Sequence, residues 1–319
     1  MLPNNDSRGS HRLEALKYSQ GMPSAHEKIS VAQSTRKSLP SITVVTPSFN
    51  QAVYLEKTIR SVVNQEYPNL EYIIVDGGSS DGSSDIIRQY ADKLQWWCSE
   101  PDGGQADAIV KGFARSSGEV LCWLNSDDIL LPGALTAVGE YFRENPLAEV
   151  VNGGAYRIDS LDRPIRHPFQ SNYTRGVRAS VRRFRFYGQD GVYQQATFWR
   201  RAAYFAVGGV RKEFAFAMDL DLFARLAERQ RFHVIPNYLA CFRLHDTCKS
   251  LTIDATRRAE VLSLQREQGV LDAHPLRRFG LHSYYRVVSL IRKAILQFRL
   301  LIGLEHLPAV PNLSGSSRL

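Results

Sequence analysis

The fold is decided by residues 42–82, ITVVTPSFNQAVYLEKTIRSVVNQEYPNLEYIIVDGGSSDG. The stretch begins with a β-branched run at 42–46, which Pro47 is predicted to end, and closes with a second apolar run at 72–75. Between the two runs, apolar residues over 54–63 recur at the three- and four-residue spacing of a helix. A strand, a helix and a second strand in this order predict a βαβ unit with parallel strands.

The same alternation continues along the chain. We predict further strands at 95–98 and 120–124, and helices at 85–90, 106–114 and 132–143. This spacing is typical of an α/β protein with a mostly parallel central sheet flanked by helices. Ligands of such sheets bind beyond the carboxyl ends of the strands, so we expect the functional residues in the loops that follow them.

The charge of the chain is unevenly distributed. The net charge of +8 over 319 residues is the sum of +3 over 1–40, −9 over 41–150, +8 over 151–256 and +6 over 257–319. A protein that binds nucleic acid usually presents one basic surface, which an acidic first half does not provide, so we expect no nucleic-acid partner. The first segment is polar and lacks the apolar core of a secretory signal, and we expect it to be a poorly ordered leader.

The chain has four cysteines, with no Cys-x-x-Cys pair and no matching histidine cluster. This pattern argues against a zinc site and against a disulfide framework. A hydrophobic content of 44% and a charged content of 23% are ordinary for a globular protein. A reducing, cytoplasmic compartment is the simplest expectation.

Carboxylates follow two of the predicted strands. Asn125-Ser126-Asp127-Asp128 comes directly after the strand at 120–124, and adjacent carboxylates are commonly neutralised by a divalent cation that also bridges to a substrate phosphate. The alternative is a helix cap ahead of Pro132. Asp76 follows the second strand and could accept a hydrogen bond from a ribose or a base. The first strand-to-helix turn has neither a GxGxxG motif nor a Walker lysine, which disfavours Rossmann dehydrogenases and P-loop NTPases.

These loops resemble the nucleotide-sugar half of the inverting family 2 glycosyltransferases, which have the glycosyltransferase-A fold. The matching segments are 42–83, EPDGGQADAIVKGF at 100–113 and GEVLCWLNSDDILLPGAL at 118–135. The acceptor half of the same family is matched, in the same order, by QQATFWRR at 194–201, VGG at 207–209, AFAMDLDLFARLA at 215–227 and FRLHDTCKS at 242–250. Ordered agreement of several motifs is far more specific than any one of them.

The resemblance implies a fold and a reaction. Residues 41–150 would form the nucleotide-sugar-binding half, and 151–256 the acceptor-binding and catalytic-base half of the same domain, followed by a helical tail over 257–319. The implied protein is a metal-dependent inverting glycosyltransferase. It would move a sugar from a nucleotide-sugar donor, most simply a UDP-sugar, to a hydroxyl of a glycan or lipid-linked glycan in surface polysaccharide biosynthesis. The alternative is a nucleotide-sugar-binding protein without turnover.

The resemblance also assigns roles to individual residues. Asp127 and Asp128 match the family's Asp-x-Asp motif for Mn²⁺ or Mg²⁺, with Asp128 the first choice as ligand. Asp219 aligns with the general base, although Met218 stands where an acidic residue often precedes it. The residues implied for donor binding are Thr46, Pro47, Phe49, Asp76, Gln105, Asp107 and Asp127.

Asp221 and His245 are further candidates for a role at this site. Asp221 is a rival base candidate, but in a helix its side chain would diverge from that of Asp219 by about 200°, so only one of the two can face the donor. Both could instead be charges favoured by a helix N-terminus. His245 could reach the metal or the diphosphate, although a lone histidine in a loop is more often an ordinary surface residue.

Seven arginines and no lysine lie between Arg163 and Arg185. Arginine matches phosphate oxygens bidentately, so we expect Arg182, Arg183 and Arg185 to bind a phosphate-bearing acceptor, the alternative being a solvated loop.

The tail contains a basic amphipathic helix, predicted over 284–303. Its cations exclude an ordinary transmembrane span, and the pattern is typical of a helix that lies on an anionic membrane surface. Packing of the apolar face on the catalytic domain is the alternative. We therefore expect a cytoplasmic protein that could attach peripherally to the inner face of the cell membrane.

Overall fold

The computed structural model describes residues 38–165, 173–174, 176–188, 191–249 and 254–312. The predicted leader therefore lies almost wholly outside the described residues. Strands in chain order are β1 (Ile42–Ser48), β2 (Leu70–Asp76), β3 (Trp96–Ser99), β4 (Val120–Trp123), β5 (Ile129–Leu130), β6 (Val150–Ile158), β7 (Tyr173–Thr174), β8 (Thr197–Arg200) and β9 (His233–Arg243). Helices are α1 (Ala52–Val63), α2 (Ser83–Gln89), α3 (Gln105–Ala114), α4 (Ala134–Glu144), α5 (Val181–Tyr187), α6 (Arg201–Ala206), α7 (Met218–Arg229), α8 (Asp254–Glu267) and α9 (Pro275–Leu301).

The described strands form one sheet in the order β3-β2-β1-β4-β8-β6-β9-β5, with β7 paired to β6. The first four strands of that order are parallel, as the alternation of strands and helices predicted. Beyond β4 the sheet is mixed: β8 runs antiparallel to both its neighbours, while β9 runs parallel to β6. The predicted α/β class is confirmed, and each antiparallel pair includes a strand from the second half of the chain, as in β4 with β8 and β5 with β9.

The first strand runs two residues further than predicted. Alternate residues of β1 bond to β2, and the residues between them face β4, where Leu124 N donates to the carbonyl of Val45. Pairing of β1 with β4 stops at Val45, so Pro47 lies beyond the last pair on that side. A proline there removes no ladder hydrogen bond, and β1 continues through it to Ser48.

Helices cover both faces of the sheet and make two apolar cores. On one face, the rings of Phe113, Trp123, Trp199 and Tyr204 pack with centroids 4.9–6.4 Å apart, edge to face except for the stacked pair of Trp199 and Tyr204. Gly112 lets α3 approach β1, because a Cβ at this position would stand 2.4 Å from a methyl carbon of Val45. The burial fixes the carboxyl ends of β1 and β4 relative to α3.

The tail helix is longer than predicted. It begins at Pro275, where His274 caps its first turn, and ends at Leu301 rather than 303. Among the described residues, no helix combines the length and the apolar character needed to cross a bilayer.

A buried carboxylate links the parallel strands β1, β2 and β4 near their amino ends. Glu71 of β2 accepts hydrogen bonds from the Thr43 hydroxyl, from Ser117 N at 2.8 Å and from Gly118 N at 3.1 Å. Burial alone would raise the pKa of the Glu71 carboxyl, but these hydrogen bonds outweigh it and hold the pKa below its usual value. The carboxylate thereby ties β1, β2 and the turn before β4 together.

We expect Glu71→Gln to lower the free energy of unfolding by about 1–3 kcal/mol at neutral pH, because it leaves a buried donor without its charged acceptor. Since the native pKa is lowered, this stabilisation is present above the unfolded-state pKa and is lost as pH falls through the native pKa. Thermal unfolding should therefore show a gap between wild type and variant that narrows on acidification. The exposed Glu140→Gln is the control, with a change within about 0.5 kcal/mol; a gap that stays constant in acid would contradict the argument.

Candidate functional site

A cavity of about 850 Å³ opens at the carboxyl ends of the parallel strands. Its walls come from the loop after β1, the loop after β4, the segment before β8, the start of α7 and the segment after β9. This is the edge where the rule for parallel sheets predicts a ligand. Of the predicted site residues, the lining includes Pro47, Phe49, Gln105, Asp127 and Asp219.

Asp127 offers its carboxylate to this cavity. The side chain is 16% exposed, and its Oδ2 lies 3.0 Å from His245 Nε2. The imidazole is itself oriented by Thr247, whose hydroxyl lies 2.9 Å from Nδ1, and by the Tyr54 ring at a centroid distance of 4.7 Å. The structure thus brings together two of the predicted metal ligands, which lie 118 residues apart in the sequence.

Asp128 has a different environment from its neighbour. It is fully buried and does not line the cavity; its Oδ1 accepts a hydrogen bond from Arg243 N at 2.9 Å, and its Oδ2 one from the Asn125 amide at 3.3 Å. Burial, reinforced by the charge of Asp127, raises the pKa of Asp128 well above its usual value. Of the two carboxylates, Asp127 is the one that lines the cavity. The role of Asp128 as a metal ligand stays a prediction.

A buried guanidinium holds the two-carboxylate loop. Arg243, at the end of β9, donates from Nε to the Asp127 carbonyl at 2.7 Å and from Nη1 to the Asp159 carbonyl and the Asp162 carboxylate. Its guanidinium lies over the Tyr54 ring, 4.9 Å from the centroid. One side chain therefore connects the loop after β4 with the turn after β6 and with α1.

The two acidic residues in the first turn of α7 have different surroundings. Asp219, in the first turn, lines the cavity. Asp221 is 2% exposed and forms ion pairs with Arg211 and Arg225. As the helical spacing predicted, the two side chains diverge and only Asp219 lies at the cavity.

The segment before α7 is held by a residue that the sequence did not single out. Glu260 of α8 accepts hydrogen bonds from the amides of Ala215, Phe216 and Ala217 over 2.7–2.9 Å. Three amides on one carboxylate fix the backbone that leads into Asp219.

Three predicted donor residues lie outside the cavity lining. The Thr46 hydroxyl is buried 3.0 Å from the Tyr72 hydroxyl. Asp76 is fully buried beside Gly77, which does line the cavity, and its carboxylate accepts hydrogen bonds from Ser79 and Ser99. Asp107 pairs with Lys212 at 2.5 Å, and hydrogen bonding to that ammonium holds the pKa of Asp107 below its usual value. Their contacts with a donor stay predictions.

The three arginines predicted to bind the acceptor also lie outside the cavity lining. Arg183 is buried, with its guanidinium 5.2 Å from the Tyr187 ring centroid and 5.8 Å from that of Tyr285, and Arg185 pairs with Glu228. Arg182 is exposed on the same helix, α5. The structure does not bring them together with Asp127 and Asp219, so an acceptor site there remains a prediction.

Three other cations do line the cavity: Arg157, Lys249 and Arg257. Lys249 donates to the Gln105 side chain at 2.9 Å and to the Ala215 carbonyl at 3.0 Å, and burial lowers its pKa. Lys249 falls within the FRLHDTCKS motif, a signal that could have identified it. Arg157 and Arg257 carry no local signal, because only the folding of β6 and α8 against the cavity brings them there.

Two glutamines present amide groups to the cavity. Gln194 and Gln195 are 6% and 3% exposed, and both line it. Gln194 donates to the Trp123 carbonyl at 2.6 Å, while its Oε1 and the Nε2 of Gln195 are buried without a hydrogen-bond partner among the described residues. Buried polar atoms normally have partners, so these two favour a polar ligand.

The donor set fits a divalent cation that is shared with a substrate. Within the described ranges, no group of three or more His, Cys, Asp or Glu side chains is placed to hold a metal by itself. Mg²⁺ in such sites usually keeps one or two protein carboxylates and takes other ligands from phosphates. Asp127 and the adjoining His245 match that arrangement.

We expect Arg243→Met to lower the free energy of unfolding by about 2–4 kcal/mol, because it leaves the carbonyls of Asp127 and Asp159 without their buried donor, while Asp162 keeps its ion pair with Lys57. Arg163→Met is the matched control, since Arg163 binds the neighbouring Asp159 from a side chain that is 71% exposed. The control should cost less than about 1 kcal/mol. Urea unfolding of both variants measures the difference, and equal losses would mean that Arg243 does not hold the loop.

Comparison with known proteins agrees with this architecture. Residues 43–207 match the family model described as Glycosyl transferase family 2. A protein of Mycobacterium tuberculosis described as an uncharacterized glycosyltransferase is 33% identical over 193 residues, which cover 60% of this chain and 70% of the relative. The putative teichuronic acid biosynthesis glycosyltransferase TuaG of Bacillus subtilis is 31% identical over 148 residues, 44% of this chain and 59% of TuaG.

Solved structures share the fold at low sequence identity. Residues 1–349 of S. aureus TarS, crystallised with UDP-GlcNAc, align with a TM-score of 0.58 at 16% identity, covering 77% of this chain and 71% of that one. The mannosyltransferase PcManGT of Pyrobaculum calidifontis, in complex with GDP-Man and Mn²⁺, aligns with a TM-score of 0.55 at 18% identity, covering 86% and 78%. Because the family model matches more than half of this chain, the chain belongs to glycosyl transferase family 2, and it has the glycosyltransferase-A fold.

Proposed function

We propose that this glycosyltransferase moves a sugar from a nucleotide-sugar donor to an acceptor hydroxyl with inversion at the anomeric carbon. The observation that carries the proposal is that Asp127 and Asp219, from opposite halves of the chain, line one cavity at the carboxyl edge of the sheet. A single displacement requires a base for the acceptor hydroxyl and a cation near the departing diphosphate. In this proposal Asp219 is the base and the carboxylate of Asp127 holds the cation, on the same cavity.

Asp219 acts as the general base in this proposal. It takes the proton of the acceptor hydroxyl while the oxygen forms a bond to the anomeric carbon and the bond to the nucleoside diphosphate breaks. No carboxylic acid is needed to protonate the leaving group, because a diphosphate is already a good one, unlike the alcohol released by glycosidases. Asp221 is unsuited to the task because two arginines occupy its carboxylate.

The donor is proposed to be a UDP-sugar. Pro47 and the 61% exposed Phe49 offer an apolar surface for a base at the end of β1. TarS, which has the same fold, is solved with UDP-GlcNAc, whereas PcManGT is solved with GDP-Man, so the choice of uridine rests on the resemblance of the first two loops. The amides of Gln194 and Gln195 are suited to hydroxyls of the transferred sugar.

We propose Asp127 with His245 as the protein ligands of Mn²⁺ or Mg²⁺. When bound, such a cation neutralises the charge that develops on the departing diphosphate. Arg157, Lys249 and Arg257 supply positive charge on the same cavity for the donor or for a phosphate on the acceptor. Arg243 donates hydrogen bonds to the Asp128 carboxylate and to the Asp127 carbonyl, and these contacts keep Asp127 in position.

The acceptor is proposed to be a glycan or lipid-linked glycan of a cell-surface polysaccharide, assembled at the cytoplasmic face of the membrane. Support comes from relatives: TuaG is named for teichuronic acid biosynthesis, and a Campylobacter jejuni relative, 32% identical over 108 residues, is named as a glucosyltransferase acting on an undecaprenol-linked oligosaccharide.

Asp219→Asn should lower acceptor-dependent UDP release by about 10²–10⁴-fold, because an amide cannot take the proton, while UDP binding stays unchanged. Release assays and calorimetry measure the two quantities. The control is Asp221→Asn, which should lower thermal stability and leave the turnover of folded protein within severalfold. Full turnover by Asp219→Asn would reject this base, and a wild-type protein that binds UDP-sugar without acceptor-dependent release would be a silent binding protein.

Removal of divalent cations with EDTA should abolish UDP release, and Mn²⁺ should restore it. Asp127→Asn should raise the Mn²⁺ concentration needed for half-maximal release by about tenfold or more, because it removes the carboxylate that faces the cavity. Asp128→Asn should act mainly on stability, since its carboxyl group braces Arg243. A larger shift in the Mn²⁺ requirement for Asp128→Asn than for Asp127→Asn would reverse the assignment.

A further inference from the structure

The tail helix α9 packs on the protein with its polar side. It rests against α5, where the Tyr285 ring lies 5.8 Å from the Arg183 guanidinium and His282 Nδ1 is 3.3 Å from the Phe186 carbonyl. Arg292 donates to the Gly176 carbonyl at 3.2 Å. The residues of α9 that are buried among the described parts of the chain are Ser289 and Leu296.

The apolar side of the same helix faces away from the protein. Tyr284, Val287, Ile291, Ile295, Phe298 and Ile302 form a stripe along α9 and its end, each 48–61% exposed. At 100° per residue they span about 80° of the helix circumference, and Leu290, 58% exposed, widens the exposed face to about 140°. A folded domain ordinarily buries the apolar side of an amphipathic helix, so a contiguous exposed stripe of this size marks an interaction surface.

Charge decides which partner suits this surface. Helix α9 carries six Lys and Arg residues and no Asp or Glu over its 27 residues. Two of these cations, Arg277 and Arg286, are exposed and lie at the two edges of the apolar face on the helical wheel. A second copy of the chain would bring like charges together, whereas anionic lipid headgroups are complementary to cations that flank an apolar stripe.

We propose that the outer face of α9 is a membrane-docking surface that lies in the headgroup region of an anionic bilayer, with the stripe directed to the acyl chains. The helix does not cross the membrane, in keeping with its cations. The surface is separate from the cavity, and none of the stripe residues lines it. The proposal extends the proposed function, since it would hold the active site next to a lipid-linked acceptor, yet the binding itself requires no sugar transfer.

Co-sedimentation of the full chain with vesicles tests the surface. The wild-type protein should pellet with phosphatidylcholine vesicles that contain about 30% phosphatidylglycerol, much less with phosphatidylcholine alone, and less as salt is raised. Val287→Gln/Ile291→Gln/Ile295→Gln should weaken binding to the anionic vesicles by more than about tenfold, because it removes apolar area from the contact. Leu147→Gln/Leu161→Gln, at apolar positions 85% and 65% exposed elsewhere, is the matched control and should bind like wild type.

A charge variant separates the electrostatic part of the contact. Arg277→Gln/Arg286→Gln should weaken binding to anionic vesicles by about 30-fold and leave binding to neutral vesicles unchanged. UDP release with a water-soluble acceptor, measured on the same preparations, should be equal for all variants, which separates failure of docking from failure of the proposed reaction.

Three results would overturn the docking surface. The first is wild-type protein that stays in the supernatant with anionic vesicles, as coverage of the stripe by residues 1–37 would produce. The second is equal pelleting of wild type and the triple glutamine variant. The third is a dimer, detected by light scattering, that the triple variant abolishes while vesicle binding is absent, which would assign the face to a second copy.

Discussion

The site depends on one buried cation. The Arg243 guanidinium, without exposed surface, binds two carbonyls and a carboxylate, and its own backbone amide binds Asp128. A buried charge is tolerated only where it is paired and hydrogen-bonded, so the loops that surround Arg243 are constrained to the positions that satisfy it. That constraint sets the direction in which Asp127 points.

Adjacent carboxylates at the edge of a sheet repel each other, and the protein separates them by environment. Asp128 turns inward to meet Arg243, and Asp127 turns outward to meet His245 and the cavity. The second half of the chain then contributes cations to the same cavity, including Lys249 and Arg257. The acidic first half and the basic second half of the sequence thus both contribute side chains to one cavity.

Local patterns were enough to predict the parallel strands, their helices and the loops that surround the cavity, because strand and helix periodicity are properties of neighbouring residues. The role of Arg243 could not be predicted, since its contacts lie 81–116 residues away in the sequence. Asp127 and Asp128 are indistinguishable as a dipeptide, and only their burial separates them. The stripe of α9 was visible as a pattern, but periodicity does not say which side of a helix meets the protein.

Glu260 shows that the segment after the family motifs takes part in building the candidate site. It belongs to α8, in the part of the chain that the motifs of the family do not reach, yet its carboxylate binds the three amides that lead into Asp219. Glu267, from the same helix, reaches Arg211, the partner of Asp221. Helix α8 is therefore a scaffold for the start of α7, and a fragment cut at the end of the recognisable motifs would lose the contacts that position Asp219 together with its tail.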